Sequence, residues 1–376
     1  MKIAIDATIL RSQNTGTGFY VINLLNGLMK YDKENEYIVF GNKEIIKKFV
    51  FLNNKNFRIE NVIFKNRIVR VLWQLFILPF KLKKLNVNIL HSTNYITPLF
   101  KFNLKFIVTI HDLTFIIFPE KFTIVKRLFF RFMVPIFIRR ADKVITVSEN
   151  TKNDIIKFLK VPKEKISVTF ETYNECYDSE IKKEDSKKIL DKYGINKNYF
   201  LFVGMIEPRK NILSILKAFI ELDDELDEDL VIVGKKGWYY REIEEFMENI
   251  KNKRLKNRII FTGFVSEKEL VSIYKNAEIF IYPSFYEGFG IPPLEAMVCG
   301  VPVITSNTSS IPEVVGDAAI KIDPYNYIEL KEAIKVLKHN PQKKEEMSEK
   351  GKEQSKKFSS KKFAENTINI YKKAVS

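Results

Sequence analysis

The sequence predicts an α/β protein built from two parallel-sheet domains of the Rossmann type. Its 376 residues suit two domains of ordinary size. Short runs of β-branched and aromatic residues alternate with helical patterns, which is typical of βαβ units. The alternation stops at the polar stretch 171–188 and then starts again. Because ligands of open α/β sheets bind outside the carboxyl ends of the strands, we expect the ligand site in a cleft between the domains.

The first domain is predicted to span residues 1–172. Five buried strands are expected, at 2–6, 36–41, 87–92, 105–112 and 143–148, and a further apolar run at 165–170 precedes the polar stretch. Amphipathic segments between them predict helices at 19–30, 66–84 and 120–140. Two stretches, 67–85 and 122–140, mix Lys and Arg with apolar and aromatic residues, as interfacial membrane segments do. The alternative, which we favour for their apolar faces, is a pair of amphipathic crossover helices that pack on the sheet.

The second domain is predicted at 195–357, after a linker at 173–194. Five strands are expected, at 199–205, 229–234, 258–265, 277–284 and 301–306. The tail from about residue 341 is rich in Lys and Glu and helical in pattern. We expect a last helix, at about 358–376, to pack back on the first domain.

The formal net charge of +16 favours an anionic partner, such as nucleic acid, phospholipid headgroups or a phosphorylated small molecule. The surplus is concentrated at 61–111, which contains eight Lys and Arg residues but no Asp or Glu. Contact with an anionic membrane is consistent with this basic stretch.

The two cysteines lie far apart without CxxC spacing, which favours neither a disulfide framework nor a zinc site. The first apolar run meets Asp6, so we expect no secretory signal, and no run reaches the about 18–20 apolar residues of a membrane span. These features predict a cytoplasmic protein.

Two strand ends of the first domain carry candidate binding residues. Gly16 and Gly18 bracket Thr17 ahead of a helix, where backbone N–H groups can approach a phosphate or sugar. An ordinary tight turn explains the same pattern. His111 follows a strand and is a candidate for the ligand site, whereas His91 is interpreted as a packing residue.

Arg209 and Lys210 lie in a strand-to-helix loop of the second domain. Two adjacent cations there form a clamp suited to a diphosphate. The alternative is a solvated helix start, but positive charge at that end opposes the helix dipole and calls for a compensating anion.

The segment 282–306 places Glu287 and Glu295 on either side of a glycine-proline turn. Gly288 and Gly290 free their N–H groups for close approach, and the helix that follows adds favourable potential for an anion. The carboxylates can accept hydrogen bonds from hydroxyl groups beside that anion. Ribose, diphosphate and hexose together form a nucleotide-sugar. Glu287 is expected on the loop and Glu295 in the first turn of that helix. For Glu295 the alternative role is complementation of the helix dipole alone.

The acidic run 223–229 contains Asp-Glu-Asp, which resembles a metal-binding motif. Because it precedes a strand, at the end away from the predicted cleft, we interpret it as a solvated connection. We predict no metal site.

These motifs resemble the retaining glycosyltransferases of family 4, which have the GT-B fold. The resemblance rests on "EGFGIPPLEAM", preceded by "EPRKN" and followed by "GVPVITSNTSSIPEVVGDAA". The segments "TIHDLTFIIFPE", "ADKVITVSENTKNDI" and "GFVSEKELVSIYKNAEIFIYPS" are similar to those of its bacterial mannosyltransferase-type members.

The resemblance implies a role for each candidate. Glu287 contacts the transferred sugar, Glu295 the ribose hydroxyls, and His111 the reacting face of the sugar. Arg209 and Lys210 bind the diphosphate and stabilise the leaving group. The remaining donor-binding candidates are Gly16, Gly18, Gly204, Gly288, Phe289, Gly290 and Leu294.

The resemblance also implies a metal-independent reaction with no cofactor, in which a GDP- or UDP-linked sugar is the co-substrate. The expected acceptor is a saccharide or a lipid-linked saccharide in surface polysaccharide or lipopolysaccharide synthesis. The protein is then expected in the cytoplasm, at the inner face of the cell membrane.

Two other functions remain open from the residues alone. A nucleotide-sugar epimerase of the same architecture would need an acid/base set for C–H chemistry, and the sequence shows no convincing cluster. A nucleic-acid-binding protein would explain the net charge, but no recognition module is visible and the second-domain motifs would have no purpose. We therefore expect no nucleic-acid partner.

Overall fold

The chain divides into two units of parallel β-sheet in a computed structural model, which describes residues 1–12, 16–50, 55–237 and 240–376. The first unit contains Met1–Thr172 together with Phe358–Ser376, and the second contains Tyr173–Lys357. The prediction of two parallel-sheet α/β domains is confirmed.

Seven strands form the sheet of the first unit: β1 (Lys2–Asp6), β2 (Glu36–Gly41), β3 (Phe57–Asn61), β4 (Ile89–Ser92), β5 (Lys105–Ile110), β6 (Lys143–Thr146) and β7 (Ile166–Val168). Their order is β3-β2-β1-β4-β5-β6-β7, and all neighbours pair in parallel. The strand order reverses between β1 and β4: successive strands are added on one side of β1 up to β3, and on its other side from β4 onwards.

Helices join these strands: α1 (Gly16–Tyr31), α2 (Lys43–Phe49), α3 (Arg67–Leu72), α4 (Leu78–Lys84), α5 (Thr114–Ile117), α6 (Ile124–Arg140) and α7 (Glu149–Leu159). A π-helical turn at Trp73–Ile77 makes α3 and α4 nearly continuous, as the pattern at 66–84 predicts. The interpretation of the apolar faces is incomplete, because α4 and α6 bury Leu82 and Val134 but leave Phe80 and Phe132 exposed.

Six strands form the sheet of the second unit: β8 (Tyr199–Val203), β9 (Asp229–Val233), β10 (Ile259–Gly263), β11 (Ile279–Tyr282), β12 (Val303–Ser306) and β13 (Ala319–Ile322). Their order is β10-β9-β8-β11-β12-β13, again all parallel. The order reverses between β8 and β11, so the loops after these two strands flank the switch point where ligands of such sheets bind.

Nine helices accompany this sheet in the described part of the chain: α8 (Lys183–Lys192), α9 (Ile212–Glu221), α10 (Tyr240–Glu248), α11 (Lys253–Asn257), α12 (Glu267–Lys275), α13 (Ile291–Val298), α14 (Ile311–Val315), α15 (Tyr327–Lys338) and α16 (Pro341–Ser355). The segment 173–194, treated above as a linker, is part of this unit. Its helix α8 packs against α12, with an ion pair between Lys192 and Glu269.

The last helix, α17 (Ser360–Val375), belongs to the first unit and packs on α1. The Tyr371 hydroxyl lies 2.6 Å from Nδ1 of His91, whose Nε2 lies 2.7 Å from the Thr109 hydroxyl. His91 is fully buried, and burial lowers its pKa to about 3. Its interpretation as a packing residue is confirmed.

The sequence patterns missed two edge strands, β3 and β13. Both have half-exposed side chains and so lack the continuous apolar run that marks the central strands. Within the described ranges, no helix has both the length and the apolar character needed to cross a membrane.

Candidate functional site

The loops after β8 and β11 bring three predicted residues together at the switch point of the second unit. Arg209 and Lys210 lie in a short 3-10 helix, Pro208–Lys210, and Glu287 follows β11. The backbone N–H of Phe285 donates to the carbonyl of Arg209 at 2.9 Å, which joins the two loops.

The carboxylate of Glu287 is buried between the two cations. Its Oε2 accepts from Arg209 at 2.8 Å, and its Oε1 accepts from Lys210 at 2.6 Å. The hydroxyls of Ser284 and Tyr282 donate to Oε1 at 2.6 Å and 3.1 Å. Lys210 also donates to the Tyr282 hydroxyl. Charge and hydrogen bonding therefore hold Glu287 in one position.

This environment fixes the ionisation of Glu287. Burial alone raises the pKa of a carboxyl group, but here the charges of Arg209 and Lys210 and the hydrogen bonds from Lys210 and Ser284 outweigh it. The net result lowers the pKa of Glu287 to about 2. Glu287 is consequently a carboxylate at neutral pH.

Glu207 supplies a second counter-charge. Its Oε1 accepts from Nε of Arg209 at 3.1 Å and from its NH2 group at 2.8 Å. The charge of Arg209 and Lys210 at a helix start calls for a compensating anion. In the structure, the carboxylates of Glu207 and Glu287 provide it.

The backbone that carries Glu287 is held by two serines at the start of α14. Ser309 accepts a hydrogen bond from the Glu287 N–H at 2.9 Å. Ser310 is buried, and its hydroxyl, with one hydrogen to donate, lies 2.9 Å and 2.8 Å from the carbonyl oxygens of Glu287 and Phe289. The role of these serines is not predicted from the sequence, although they follow β12 in the segment "NTSSIPE".

Gly290 ends this loop directly before α13 with a φ of 113°, which disfavours other residues. A Cβ atom there would lie 2.7 Å from Cδ1 of Ile311. The neighbouring candidate Gly288 is half-buried, and the side chain of Phe289 is buried.

Two further candidates, Leu294 and Gly204, differ in their surroundings. Leu294 is fully buried within α13. Gly204 lies after β8, where a Cβ atom would be 3.8 Å from Cε of Lys210. Gly204 is therefore beside the cation pair, whereas Leu294 contributes its side chain to the core.

Glu295 has different surroundings from Glu287. The Tyr274 hydroxyl donates to its Oε2 at 2.9 Å. Burial, followed by the charge of Glu267, raises the pKa of Glu295 to about 8. The prediction that Glu295 lies in the first helical turn is wrong, because α13 begins at Ile291 and has no acid in its first turn. Complementation of the helix dipole therefore does not explain Glu295.

His111 lies directly after β5 in the first unit and is buried. Its Nε2 donates to the carbonyl of Thr93 at 2.8 Å, since a carbonyl can only accept. Its Nδ1 lies 3.3 Å from the Glu171 carboxyl group. His111 is thus held by backbone and by an acid at the carboxyl edge of its own sheet.

Gly16 and Gly18 lie inside the first turn of α1, not in the loop before it as predicted. The helix begins about one turn earlier than the apolar pattern at 19–30 indicates. Gly16 is exposed and Gly18 is buried. Residues 13–15 of the predicted loop lie outside the described residues.

The acidic run is solvated in part, as predicted, since Asp224, Glu225 and Asp227 are exposed, but it also forms ion pairs with the rest of the second unit. Asp223 pairs with Arg258 at 2.5 Å, and Glu228 pairs with Lys338 at 2.7 Å. Arg258 and Glu228 are buried, so these ion pairs hold the start of β9 in place. Across the described ranges, no group of three or more His, Cys, Asp and Glu side chains is placed to hold a metal ion.

The cation pair has the chemistry of a phosphate site. A guanidinium presents a planar fork to phosphate oxygens and an ammonium presents a point charge. Within the described chain, Lys210 donates to Tyr282 and Glu287, which leaves the third N–H of its ammonium for an arriving acceptor. An incoming anion would compete with Glu287 for both cations.

Comparison with known proteins gives two family matches. The model for Glycosyltransferase Family 4 matches residues 14–170, and the model for glycosyl transferases group 1 matches residues 183–354. Together the matches cover most of both units.

Relatives of known name are similar over part of their length. The chain is 34% identical over 237 residues to O-antigen chain mannosyltransferase B of Escherichia coli, which covers 62% of this chain and 61% of that protein. It is 32% identical over 256 residues to O-antigen chain mannosyltransferase RfbU of Salmonella typhimurium. This match covers 68% of this chain and 66% of that protein. The matched region therefore spans slightly less than two thirds of these relatives.

A solved structure shares the fold over the whole chain. Anabaena HepE, in complex with UDP-glucose, superposes with a TM-score of 0.76 over 99% of this chain and 100% of that chain, at 18% identity. None of these similarities favours an epimerase or a nucleic-acid-binding protein. With both units matched by family models and the fold shared throughout, the chain belongs to the group 1 glycosyltransferases of family 4, with the GT-B fold.

Proposed function

We propose that this protein is a retaining hexosyltransferase that moves mannose from a nucleotide diphosphate sugar to a saccharide or lipid-linked saccharide. The reaction needs no metal ion and no cofactor. It serves surface polysaccharide or lipopolysaccharide synthesis in the cytoplasm, with peripheral contact to an anionic membrane. The single observation that carries the proposal is the buried cluster of Glu287, Arg209 and Lys210 at the switch point of the second unit.

The cluster suggests how a donor is received. A diphosphate has the charge and the acceptor oxygens to replace Glu287 on Arg209 and Lys210. The released carboxylate of Glu287 then accepts hydrogen bonds from hydroxyls of the attached sugar. Glu287 thereby keeps the cations in place before the donor binds and orients the hexose afterwards.

The proposed reaction proceeds on one face of the sugar. The bond between C1 and the diphosphate oxygen breaks as the acceptor oxygen forms its bond to C1 on the same side. The proton of the acceptor hydroxyl passes to the departing diphosphate. Arg209 and Lys210 stabilise the negative charge that develops on the leaving group, which is the largest catalytic contribution we assign.

Glu295 is proposed to bind the ribose of the donor. Its raised pKa leaves it protonated at neutral pH before the nucleotide binds. Hydroxyl donors of a ribose diol favour the ionised form, so binding is expected to release a proton. His111, together with Gly16 and Gly18, is proposed to serve the sugar and acceptor side.

The preference for GDP-mannose comes from the relatives. Both proteins described above are named as mannosyltransferases, and mannose is therefore the proposed sugar. HepE is recorded with UDP-glucose, which keeps UDP-sugars as the second candidate donors.

Nucleotide binding tests the proposed donor site. We expect the wild type to bind GDP more tightly than UDP in a calorimetric titration with EDTA present. Replacing Arg209 and Lys210 by alanine together should weaken GDP binding by a few kcal/mol, or about a hundredfold, because two charge-assisted contacts to phosphate are lost.

The matched control replaces Lys253 and Arg254 by alanine, an exposed pair of adjacent cations in α11. It changes the net charge by the same amount as the Arg209/Lys210 variant. Its affinity for GDP should stay that of the wild type. If the Arg209/Lys210 variant also keeps its affinity, the diphosphate lies elsewhere. If the wild type binds neither GDP nor UDP, the nucleotide-sugar proposal fails.

A further inference from the structure

The first unit has a switch point of its own, where β1 and β4 lie side by side. Asp6 and Ser92, the last residues of these strands, lie opposite each other. The hydroxyl of Thr93 donates to the carbonyl of Asp6 at 2.6 Å, and the carbonyl of Thr93 accepts from His111. Because ligands of open α/β sheets bind at such a point, we expect the surroundings of Asp6 to contact a ligand.

Arg70 of α3 reaches this edge with a buried guanidinium group. The residue is 6% exposed, and its NH1 group makes a long contact of 3.4 Å to the carbonyl of Thr8. Nε of Arg70 is buried and has no hydrogen-bond partner in the part of the chain that the structure describes. A charged donor that is buried without a partner costs free energy, so this position calls for an acceptor.

Asp6 does not supply that acceptor. Its Oδ1 accepts from the N–H and the hydroxyl of Thr8 at 3.0 Å and 2.6 Å, and its Oδ2 accepts from the amide of Gln74 at 2.6 Å. Burial lowers the pKa of Arg70, and the charge of Asp6 opposes this without outweighing it. Because a carboxylate only accepts, the amide nitrogen of Gln74 faces Asp6. Oε1 of Gln74 is consequently a buried acceptor with no partner among the described residues.

The charge around Arg70 is positive. Arg67 lies one turn earlier on α3, and its guanidinium is 5.7 Å from the centre of the Phe130 ring. Partial desolvation, followed by the charge of Arg11, lowers the pKa of Arg67. The segment 61–111 contains no Asp or Glu to balance these cations. The edge therefore favours an anion, and guanidinium groups bind phosphate oxygens through paired N–H donors.

We propose that the acceptor carries a phosphate group that Arg70 binds with Arg67 beside it, while Oε1 of Gln74 accepts from a hydroxyl of the attached sugar. The inference rests on the proposed function, since the acceptor is the second substrate of that transfer, and it names the chemical class of that substrate. A phosphate dianion suits two guanidinium groups better than the single charge of a carboxylate does.

The position of this phosphate determines which part of the acceptor reacts. Thr93 joins the edge at Asp6 to His111, the residue proposed for the sugar and acceptor side. A phosphate on Arg70 therefore places the phosphate-bearing sugar, or the one next to it, at the reacting hydroxyl. The protein acts at the phosphate end of its acceptor and not at the far end of a long polysaccharide. The preceding reaction must be a transfer of a phosphate or of a sugar phosphate.

Calorimetric titration of the full chain with inorganic phosphate tests this proposal. Saturating GDP keeps the probe away from the donor site. Wild type should bind phosphate at least tenfold more tightly than acetate, and Arg70→Gln should weaken phosphate binding at least tenfold. Arg67→Gln changes an exposed position, so it should leave folding intact and weaken phosphate binding at least threefold. The matched control is Arg139→Gln, an exposed cation at the end of α6, ahead of β6, which should bind like the wild type.

Equal affinity for acetate would overturn the proposal, as would Arg70→Gln and Arg67→Gln variants that bind phosphate like the control. α-Mannose 1-phosphate and geranyl diphosphate compare a soluble with a lipid-linked acceptor. Tighter binding of either one than of inorganic phosphate supports the site and identifies the source, and tighter binding of neither contradicts the acceptor assignment. A wild type that binds GDP but no phosphate refutes this inference alone. Phosphate binding that depends on Arg70 in a protein without affinity for GDP or UDP contradicts the transferase proposal alone.

Discussion

Replacing Glu287 by glutamine removes the negative charge that Arg209 and Lys210 share. The pKa of Glu287 is lowered from its ordinary value of 4.5 to about 2. Since each pKa unit corresponds to about 1.4 kcal/mol, the folded state favours the carboxylate by about 3 kcal/mol. Loss of one partner of a buried ion pair costs a similar amount, about 3–5 kcal/mol. We therefore expect the variant to lose about 3 kcal/mol of unfolding free energy at pH 7.

The same variant should bind nucleotide diphosphate more tightly than the wild type, because no carboxylate competes for the cations. Turnover should nevertheless fall steeply, since the sugar loses its charged acceptor. Urea denaturation at pH 7, with and without 1 mM GDP, measures both effects on one sample. GDP should restore more stability to the Glu287→Gln variant than to the wild type.

The pH dependence gives an independent check. A lowered pKa means that the stabilisation is present above pH 4.5 and is lost as the pH falls from 4.5 towards 2. The difference in unfolding free energy between the wild type and the Glu287→Gln variant should become smaller as the pH falls over that range. As a control, Glu221→Gln breaks an exposed pair with Lys331 and should alter stability within experimental error. A Glu287→Gln variant as stable as this control would refute the reasoning.

The titrations of Glu295 and His91 are expected to make GDP affinity and protein stability, respectively, depend on pH. Because Glu295 has a pKa of about 8 before the nucleotide binds and ionises on binding, GDP affinity should rise up to tenfold per pH unit between pH 6 and 8. Calorimetry should find this slope absent in Glu295→Gln, and a slope that persists would remove Glu295 from the ribose site. His91 is neutral in the fold with a pKa of about 3, so its protonation in the unfolded chain should lower stability as the pH falls below 6.5, by up to about 1.4 kcal/mol per pH unit. Thermal melts of His91→Gln should show a shallower decline over the same range, and an equal decline would contradict the assignment.

The central strands could be predicted from the sequence because each is buried on both faces. Runs such as 199–205 and 229–234 carry one charged residue between them, Asp229, and the structure places β8 and β9 within them. The edge strands β3 and β13 carry polar side chains and gave no such signal.

Which side of a helix meets the sheet is not contained in a local pattern either. The segments 66–84 and 120–140 carry apolar side chains on the exposed side of their helices as well as on the buried side. Burial of Leu82 and exposure of Phe80 follow from how the helix docks, and not from its composition.

The positions of Arg209, Lys210 and Glu287 were predictable, since each follows a strand. Their mutual contact was not, because β8 and β11 become neighbours through a strand order that skips along the chain. The sequence therefore indicated an anion site but not that Glu287 would occupy the cations itself. The supporting Ser309 and Ser310 lie after a third strand, and their role depends on the same assembly.

Donor hydrolysis in the absence of an acceptor tests the central claim most directly. The purified protein, with EDTA, is incubated with GDP-mannose, UDP-glucose, UDP-galactose and UDP-N-acetylglucosamine, and the products are followed by proton NMR. We predict slow cleavage of GDP-mannose with the α-anomer of mannose appearing first, and no cleavage by Glu287→Ala. Release of the β-anomer first would contradict retention, and a wild type that neither cleaves a donor nor binds GDP or UDP would contradict the assignment of the site.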